Sequence, residues 1–193
     1  MEKGLQNNKI LKIVITGPES TGKSTLSEQL AKQYNTIFIP EYARTYVGNL
    51  TRPYTYNDVE HIAHQQVKEM KEYECKANGI LFIDTYLIIT KVWFDVVYQR
   101  CPYWLVEVLK QSHIDLFLLC NTDLPWEPDG IRENGGEMRE KLFHIYQREL
   151  NNFSLPYAIV EGKGDKRLEN AIELVNGYFK DPDKTQIPET SEF

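Results

Sequence analysis

Eight residues near the start of the chain have the types and spacing needed to bind a triphosphate. Residues 17–24 read G-P-E-S-T-G-K-S and fit the phosphate-binding loop pattern G-x-x-x-x-G-K-[ST]. The glycines let the backbone turn so that successive N–H groups point inward at phosphate oxygens. Lys23 adds a positive charge at the β- and γ-phosphates, and the Ser24 hydroxyl is a ligand for Mg²⁺. We therefore expect the chain to bind ATP or a similar nucleotide through Gly17, Pro18, Glu19, Ser20, Thr21, Gly22, Lys23, Ser24 and Thr25.

Two acidic residues follow apolar runs that read as strands. Asp84 ends I-L-F-I-D, where a carboxylate either organises Mg²⁺ beside a phosphate-binding loop or caps the next helix. Glu41 opens E-Y-A-R, where an acid can accept the proton of an acceptor hydroxyl. Arg44 could bind an acceptor oxygen or the transferring phosphate, although a surface ion pair with Glu41 is the alternative. The sequence does not choose between Glu41 and Asp84 as the catalytic base.

Three arginines lie in segments that could close over a nucleotide. Arg132 and Arg139 occupy a glycine-rich stretch before a helix, and such a lid can bring a positive charge to the transferring phosphoryl group. The alternative for both is a solvated loop with ordinary surface arginines. Arg167 follows the last predicted strand, where it could contact the nucleotide base, or the segment could simply be a turn into a helix capped by Asp165.

Aromatic residues offer stacking partners for a flat acceptor ring. The candidates are Tyr42, Tyr54, Tyr56, Trp93 and Trp126. We single out Tyr56 and Trp126, although aromatic side chains more often belong to the core. Together with Glu41, Arg44 and Asp84 they form the expected acceptor site.

Length and composition limit the class of protein. The 193 residues, 41% of them hydrophobic, fit one domain over residues 1–180, followed by a tail over 181–193 with the composition of a disordered segment. The net charge of −6 argues against a nucleic-acid partner. No apolar run reaches about 18 residues and no signal segment opens the chain, so no membrane partner is expected. Three dispersed cysteines suggest reduced thiols and a cytoplasmic protein.

The order of elements predicts an α/β fold. Apolar runs predict strands over residues 10–15, 36–40, 80–84, 116–120 and 157–161. Helical spacing predicts helices over 24–31, 58–77 (capped by Asn57), 85–112 (interrupted near Cys101 and Pro102), 137–152 and 165–180. This alternation indicates a three-layer, five-stranded parallel sheet with helices on both faces and a short lid, as in phosphate-loop NTPases and nucleoside-monophosphate kinases. Ligands bind at the carboxyl ends of such strands.

Four motifs together carry a family resemblance. G-P-E-S-T-G-K-S-T-L, P-E-Y-A-R-T-Y-V, F-I-D-T and P-W-E-P-D-G-I-R follow one another in this order. From about residue 10 to 179 the chain resembles the ribosylnicotinamide kinase domain of NadR-type regulators, which are small phosphate-loop kinases of the AAA_28 family. The resemblance implies that ATP and Mg²⁺ phosphorylate the ribosyl 5′-hydroxyl of nicotinamide riboside to give nicotinamide mononucleotide. By the same resemblance, residues 17–25 hold the phosphates and Arg132 and Arg139 belong to the lid.

The chain departs from the family pattern in two places. Full-length members carry a nucleotidyltransferase domain, often with a helix-turn-helix, before the kinase, whereas only a few residues precede the first strand here. Adenylyl transfer and DNA regulation are therefore not implied. Pro40 stands where the family has an aromatic residue near the nicotinamide ring, so Tyr56 or Trp126 would have to replace it.

Three functions stay open from the sequence. The first is a ribosylnicotinamide kinase, and the second is a kinase for another nucleoside or a vitamin alcohol. The third is an NTP-hydrolysing switch that signals to a protein partner. The lid arginines and Glu41 favour a kinase, in which Lys23, Mg²⁺ and Arg132 would neutralise the transferring phosphate. Oligomeric state and the choice of ATP or GTP are not determined.

Overall fold

Five parallel strands carry the loops that build the site. The computed structural model describes residues 9–130 and 132–180. The strands are β1 (Leu11–Thr16), β2 (Ile37–Ile39), β3 (Ile80–Asp84), β4 (Leu116–Cys120) and β5 (Tyr157–Val160). They lie in the order β2-β3-β1-β4-β5, so β1 is central and its following loop emerges in the middle of the carboxyl edge.

Helices connect these strands on both faces of the sheet. They are α1 (Lys23–Gln33), α2 (Tyr42–Gly48), α3 (Tyr56–Glu74), α4 (Leu87–Trp93), α5 (Tyr103–Lys110), α6 (Gly136–Asn152) and α7 (Asp165–Lys180). A π-helical turn, Phe94–Tyr98, continues α4. None of the described helices is long and apolar enough to cross a membrane.

The sheet separates two hydrophobic cores because neighbouring strand residues face opposite sides. Ile13 and Ile15 of β1 pack with Leu26 and Leu30 of α1 and with residues of α7. Val14 faces the other core, to which α3, α4, α5 and α6 contribute. The three-layer α/β fold and the five-stranded parallel sheet are therefore confirmed.

Most predicted elements are present, with differences that have physical causes. The five strands lie where they were predicted, to within two residues, and the helix over residues 165–180 has the predicted bounds. The break near Cys101 and Pro102 is also confirmed, since α5 begins at Tyr103. The predicted tail over 181–193 lies outside the described residues, and the single domain over 1–180 stays a prediction.

Two predictions about helices were wrong or incomplete. Asn57 is not the cap of the long helix, because α3 begins at Tyr56 with Thr55 at the N-cap position. The Thr55 N–H and hydroxyl both donate to the Asp58 carboxylate, at 2.7 and 2.6 Å, so Asp58 supplies the capping acceptor. The helix α2 was not predicted, since its seven residues have no buried member and therefore no apolar periodicity.

Candidate active site

The loop between β1 and α1 has the geometry of a phosphate-binding loop. Gly17 has φ 132°, and a Cβ on it would lie 2.8 Å from the carbonyl oxygen of Cys120 on β4. Gly22, the N-cap of α1, has φ 76°, which is left-handed. Only glycine combines the positive φ at position 17 with the close approach to Cys120 without strain. The left-handed φ of Gly22 turns the chain directly into α1.

Two polar side chains of this loop, those of Thr21 and Lys23, are held by its own backbone. Thr21 Oγ1 and Lys23 Nζ both donate to the carbonyl oxygen of Pro18, each at 2.8 Å. Lys23 therefore lies over the loop that precedes it. A triphosphate bound there would offer stronger, charged acceptors to the same ammonium group.

A cavity of about 270 Å³ opens above the loop. Its lining includes residues of the phosphate-binding loop and the three polar residues Arg132, Glu133 and Asn134. The lining also includes apolar and aromatic residues, which are Ala43, Val47, Tyr54, Ile89, Val92, Trp93, Val96, Val97, Leu142 and Tyr146. Glu41 and Arg44 also line the cavity, so polar groups able to act on a phosphate and an apolar surface able to hold a ring share one space.

Asp84 lies at the end of β3, beside β1, and is 2% exposed. Burial, and secondarily the negative charge of Glu41, raises the pKa of the Asp84 carboxyl to about 6, against the opposing effects of Lys23, Ser24 and Arg44. Among the described residues, Asp84 Oδ1 has no hydrogen-bond partner. A buried acceptor without a donor is the situation that a cation would satisfy.

The residues present fit a magnesium ion held jointly with a nucleotide. Ser24 contacts Asp84, and both carry the oxygen donors that Mg²⁺ prefers. In the part of the chain that the structure describes, no group of three or more His, Cys, Asp or Glu residues could hold a metal alone. Phosphate oxygens and water would therefore have to supply the other ligands, as is usual for Mg²⁺ at nucleotide sites.

Glu41 and Arg44 lie where β2 passes into α2. Glu41 is the N-cap residue of α2, with extended backbone angles, and Arg44 is in the first turn of that helix. The guanidinium of Arg44 forms an ion pair with Asp129. The expected carboxylate and arginine beside the acceptor are thus brought together at the carboxyl edge of the sheet.

Arg132 lies in the segment between β4 and α6, residues 121–130 and 132–135, which we call the lid segment. Its Nη1 donates to the Glu127 carbonyl oxygen at 2.5 Å and to Ser20 Oγ at 3.3 Å, and its Nε lies 3.2 Å from Asp129 Oδ2. The chain after it is fastened to the phosphate-binding loop, because Glu19 Oε2 accepts from the N–H groups of Glu133 and Asn134 at 3.0 and 2.8 Å.

Arg139 and Arg167 are not among the residues lining the cavity. Arg139 donates to main-chain oxygens of Glu19, Ser20 and Leu124. Arg167 donates to the Asp123 carboxylate and to the main-chain oxygens of Gly162, Thr21 and Asn121. Direct contact of either arginine with ATP stays a prediction, and the structure shows both holding the backbone of the site.

The structure brings aromatic residues into the cavity other than the two singled out from the sequence. The Tyr56 ring packs on Phe94 at 4.7 Å between centroids, and Trp126 packs against Gly135. Tyr54 and Trp93 line the cavity instead, with an edge-to-face contact of 4.8 Å between ring centroids. Spacing alone could not separate Tyr54 from Tyr56, because neither lies in a regular element that the sequence had assigned.

These features define the class of protein. A glycine-rich loop follows the central strand of a parallel sheet ordered β2-β3-β1-β4-β5, and a carboxylate ends the neighbouring strand. This is a phosphate-loop nucleotide-binding protein with the fold of the nucleoside kinases. More particularly, the chain belongs to the AAA_28 family, whose profile, described as an AAA domain, matches residues 12–167.

Comparison with known proteins finds similar sequences and similar folds, among them the following three. The trifunctional NAD biosynthesis/regulator protein NadR of Salmonella typhimurium is 30% identical over 170 residues, which are 84% of this chain and 41% of NadR. The crystal structure of a NadR protein in complex with NR matches with a TM-score of 0.75 and 24% identity, over 94% of this chain and 53% of that one. Deoxyadenosine kinase from M. mycoides, with bound products, matches with a TM-score of 0.61 and 15% identity, over 86% of this chain and 100% of that one.

The chain thus spans less than half the length of the curated NadR that it matches. The resemblance to the NadR type inferred from four motifs is confirmed by this identity and by the family match.

Proposed function

We propose that this protein is an ATP-dependent kinase that phosphorylates the ribosyl 5′-hydroxyl of nicotinamide riboside to give nicotinamide mononucleotide. The observation that carries the proposal is one cavity lined by the phosphate-binding loop, by Glu41 and Arg44, and by apolar and aromatic side chains. A switch that only hydrolyses a nucleotide has no need for such a pocket. The relation to NadR supports nicotinamide riboside as the occupant.

The apolar and aromatic lining of the cavity fits a flat, polar-edged ring on a ribose. Tyr54 and Trp93 offer aromatic surfaces, and Val96 and Val97 of the π-helical turn add apolar ones. π-Helical turns often occur at functional sites because they redirect side chains by one position. In this proposal Tyr54 and Trp93 compensate for Pro40, which replaces the aromatic residue of the family pattern.

Glu41 is the proposed base. It lines the cavity together with Arg44, whereas Asp84 does not line it. Glu41 accepts the proton of the 5′-hydroxyl while that oxygen attacks the γ-phosphorus and the bond from phosphorus to the β,γ-bridging oxygen breaks. ADP leaves with the bridging oxygen, and the phosphoryl group stays on the ribose.

The remaining charged groups neutralise the transferring phosphate. Lys23 leaves the Pro18 carbonyl for the phosphates, and Arg132 leaves Glu127 for the γ-phosphoryl group. Asp84 and Ser24 would hold Mg²⁺, which supplies Lewis-acid stabilisation of the phosphate oxygens when bound. Because ATP is the donor and the three cysteines are free thiols, we also propose a cytoplasmic location.

The test is ADP release from Mg²⁺-ATP by the full chain, alone and with nicotinamide riboside, beside a panel of nucleosides. Mass spectrometry identifies the phosphorylated product. We expect nicotinamide riboside to stimulate ADP release and nicotinamide mononucleotide to appear in equal amount. Lys23→Ala is the inactive control, and Glu28→Gln, an exposed change on α1, is the matched active control.

Other outcomes have defined meanings. Stimulation by a different nucleoside alone would keep the kinase and reject nicotinamide riboside. Slow hydrolysis that no alcohol stimulates would reject the kinase and favour a nucleotide-dependent switch.

A further inference from the structure

Two buried arginines contact the phosphate-binding loop from helices that are distant in sequence. Arg139 on α6 and Arg167 on α7 are each 5% exposed. Arg139 donates from Nε to the Glu19 carbonyl oxygen at 3.0 Å and from Nη2 to that of Ser20 at 2.9 Å. Arg167 donates from Nη2 to the Thr21 carbonyl oxygen at 3.0 Å. Three consecutive carbonyl groups of the loop are therefore held by two guanidinium groups.

The direction of these carbonyls determines the direction of the amides that follow them. A trans peptide unit is planar, so the C=O of one residue and the N–H of the next point in opposite directions. Holding the carbonyls of Glu19, Ser20 and Thr21 thus aims the N–H groups of Ser20, Thr21 and Gly22 the other way. All three of these residues line the cavity, and within the described part of the chain their N–H groups have no acceptor.

We propose that Arg139 and Arg167 are positioning residues that aim the phosphate-binding amides of the loop. They act through the backbone, since neither is among the residues that line the cavity. Amides that already point at the phosphate site bind a phosphate without the free-energy cost of reorientation. The guanidinium contacts therefore raise nucleotide affinity. The proposal rests on the nucleotide-binding half of the proposed function and is independent of the acceptor.

Both arginines are themselves fixed by further contacts, as a positioning role requires. Arg139 Nη1 donates to the Leu124 carbonyl oxygen at 2.7 Å. Arg167 Nη1 donates to Asp123 Oδ1 at 2.7 Å and to the Gly162 carbonyl oxygen at 2.8 Å. The loop is therefore tied to the chain that follows β4 and β5. A planar fork with five donors can span these oxygens, whereas the single ammonium of lysine cannot.

The test uses the full-chain variants Arg139→Lys and Arg167→Lys, which keep the charge and remove the fork. Affinity is measured by calorimetry for AMP-PNP and for inorganic tripolyphosphate, and amide positions by ¹H–¹⁵N NMR. We expect each variant to bind both probes about tenfold or more weakly, the range for lost charge-assisted hydrogen bonds. Arg139→Lys should shift mainly the amides of Ser20 and Thr21, and Arg167→Lys mainly that of Gly22.

Exposed cations on the same two helices provide matched controls. Arg148 on α6 and Lys166 on α7 have side chains 64% and 62% exposed, and Arg148→Gln and Lys166→Gln should bind both probes normally. Lysine variants that bind tripolyphosphate within about twofold of the parent would overturn the proposal, as would amide shifts spread evenly over the sheet. If one variant does not fold, the other still tests the proposal, because each variant is expected to shift the amide signals of different loop residues. Failure of nicotinamide riboside to act as acceptor would leave these binding results unchanged.

Discussion

Arg44 of α2 and Asp129 of the lid segment form an ion pair that joins α2 to the lid segment. Asp129 also pairs with Arg132, at 3.2 Å, so one carboxylate serves two arginines that line the cavity. A bound triphosphate would compete with Asp129 for both cations. The resting site is thus neutralised in part by its own carboxylate.

Removing this carboxylate should strengthen nucleotide binding. We expect Asp129→Asn to lower the KM for ATP severalfold, in keeping with the energy of a partly exposed ion pair. Initial rates at varied ATP and saturating acceptor measure the change. A KM that rises would show that Asp129 orients the arginines more than it competes for them. Asp165→Asn, at the start of α7, is a control that should leave KM unchanged.

Arg132 should matter for turnover more than for binding. Arg132→Ala removes the only guanidinium of the lid segment as described and is expected to lower kcat about 100-fold or more, because its charge is needed when the phosphoryl group transfers. The affinity for AMP-PNP should change much less. Steady-state kinetics and calorimetry separate the two quantities. Equal losses in both would assign Arg132 to ground-state binding.

Glu41 should be required for the chemical step. Glu41→Gln keeps the size of the side chain but cannot accept a proton, so kcat should fall about 100- to 10,000-fold while AMP-PNP affinity is kept. Single-turnover kinetics with saturating acceptor measure the step directly. Unchanged kcat would transfer the role of base to Asp84.

The ionised carboxylate of Asp84 should lower the free energy of unfolding at neutral pH. Its pKa is raised from 3.8 to about 6, a difference of about two pH units, which corresponds to at most about 3 kcal/mol. A carboxyl with a raised pKa binds its proton more tightly in the folded protein, so its contribution is most favourable below pH 3.8 and is lost as the pH rises through 6. Without Mg²⁺ and nucleotide, Asp84→Asn should therefore be more stable than the parent at pH 8, although inactive. Urea unfolding at pH 8 and pH 5 checks this, and the difference should shrink at pH 5.

The aromatic pocket should control acceptor affinity. Trp93→Leu is expected to raise the KM for the acceptor about three- to tenfold, the worth of an aromatic contact, with the KM for ATP unchanged. Trp104→Leu is the matched control, since Trp104 stacks on His64 at 4.0 Å between centroids and does not line the cavity. If Trp93→Leu leaves the KM for the acceptor unchanged, the ring of the acceptor does not bind against Trp93.

Local sequence patterns were enough to predict much of the fold and the phosphate-binding part of the site. The G-x-x-x-x-G-K-S spacing determines its own conformation, because the glycines and the following helix are contiguous. The buried strands are continuous apolar runs, and a carboxylate that ends one of them lies at the carboxyl edge by the rule for parallel sheets. This rule predicts Glu41, Arg44 and Asp84 at the carboxyl edge, and the structure places all three there.

Contacts between segments that are distant in the chain could not be predicted from local sequence patterns. Arg139 and Arg167 were predicted to bind ATP, and that contact stays a prediction. The structure adds that their guanidinium groups contact carbonyls of a loop more than 100 residues earlier. Tyr54 and Trp93 meet only because α4 packs beside the chain that leads into α3. Sequence alone therefore determined the chemistry available to this protein, since motif and strand order depend on neighbouring residues. The tertiary structure decided which side chains line the cavity and which hold the backbone of the loop, since that depends on packing between elements far apart in the chain.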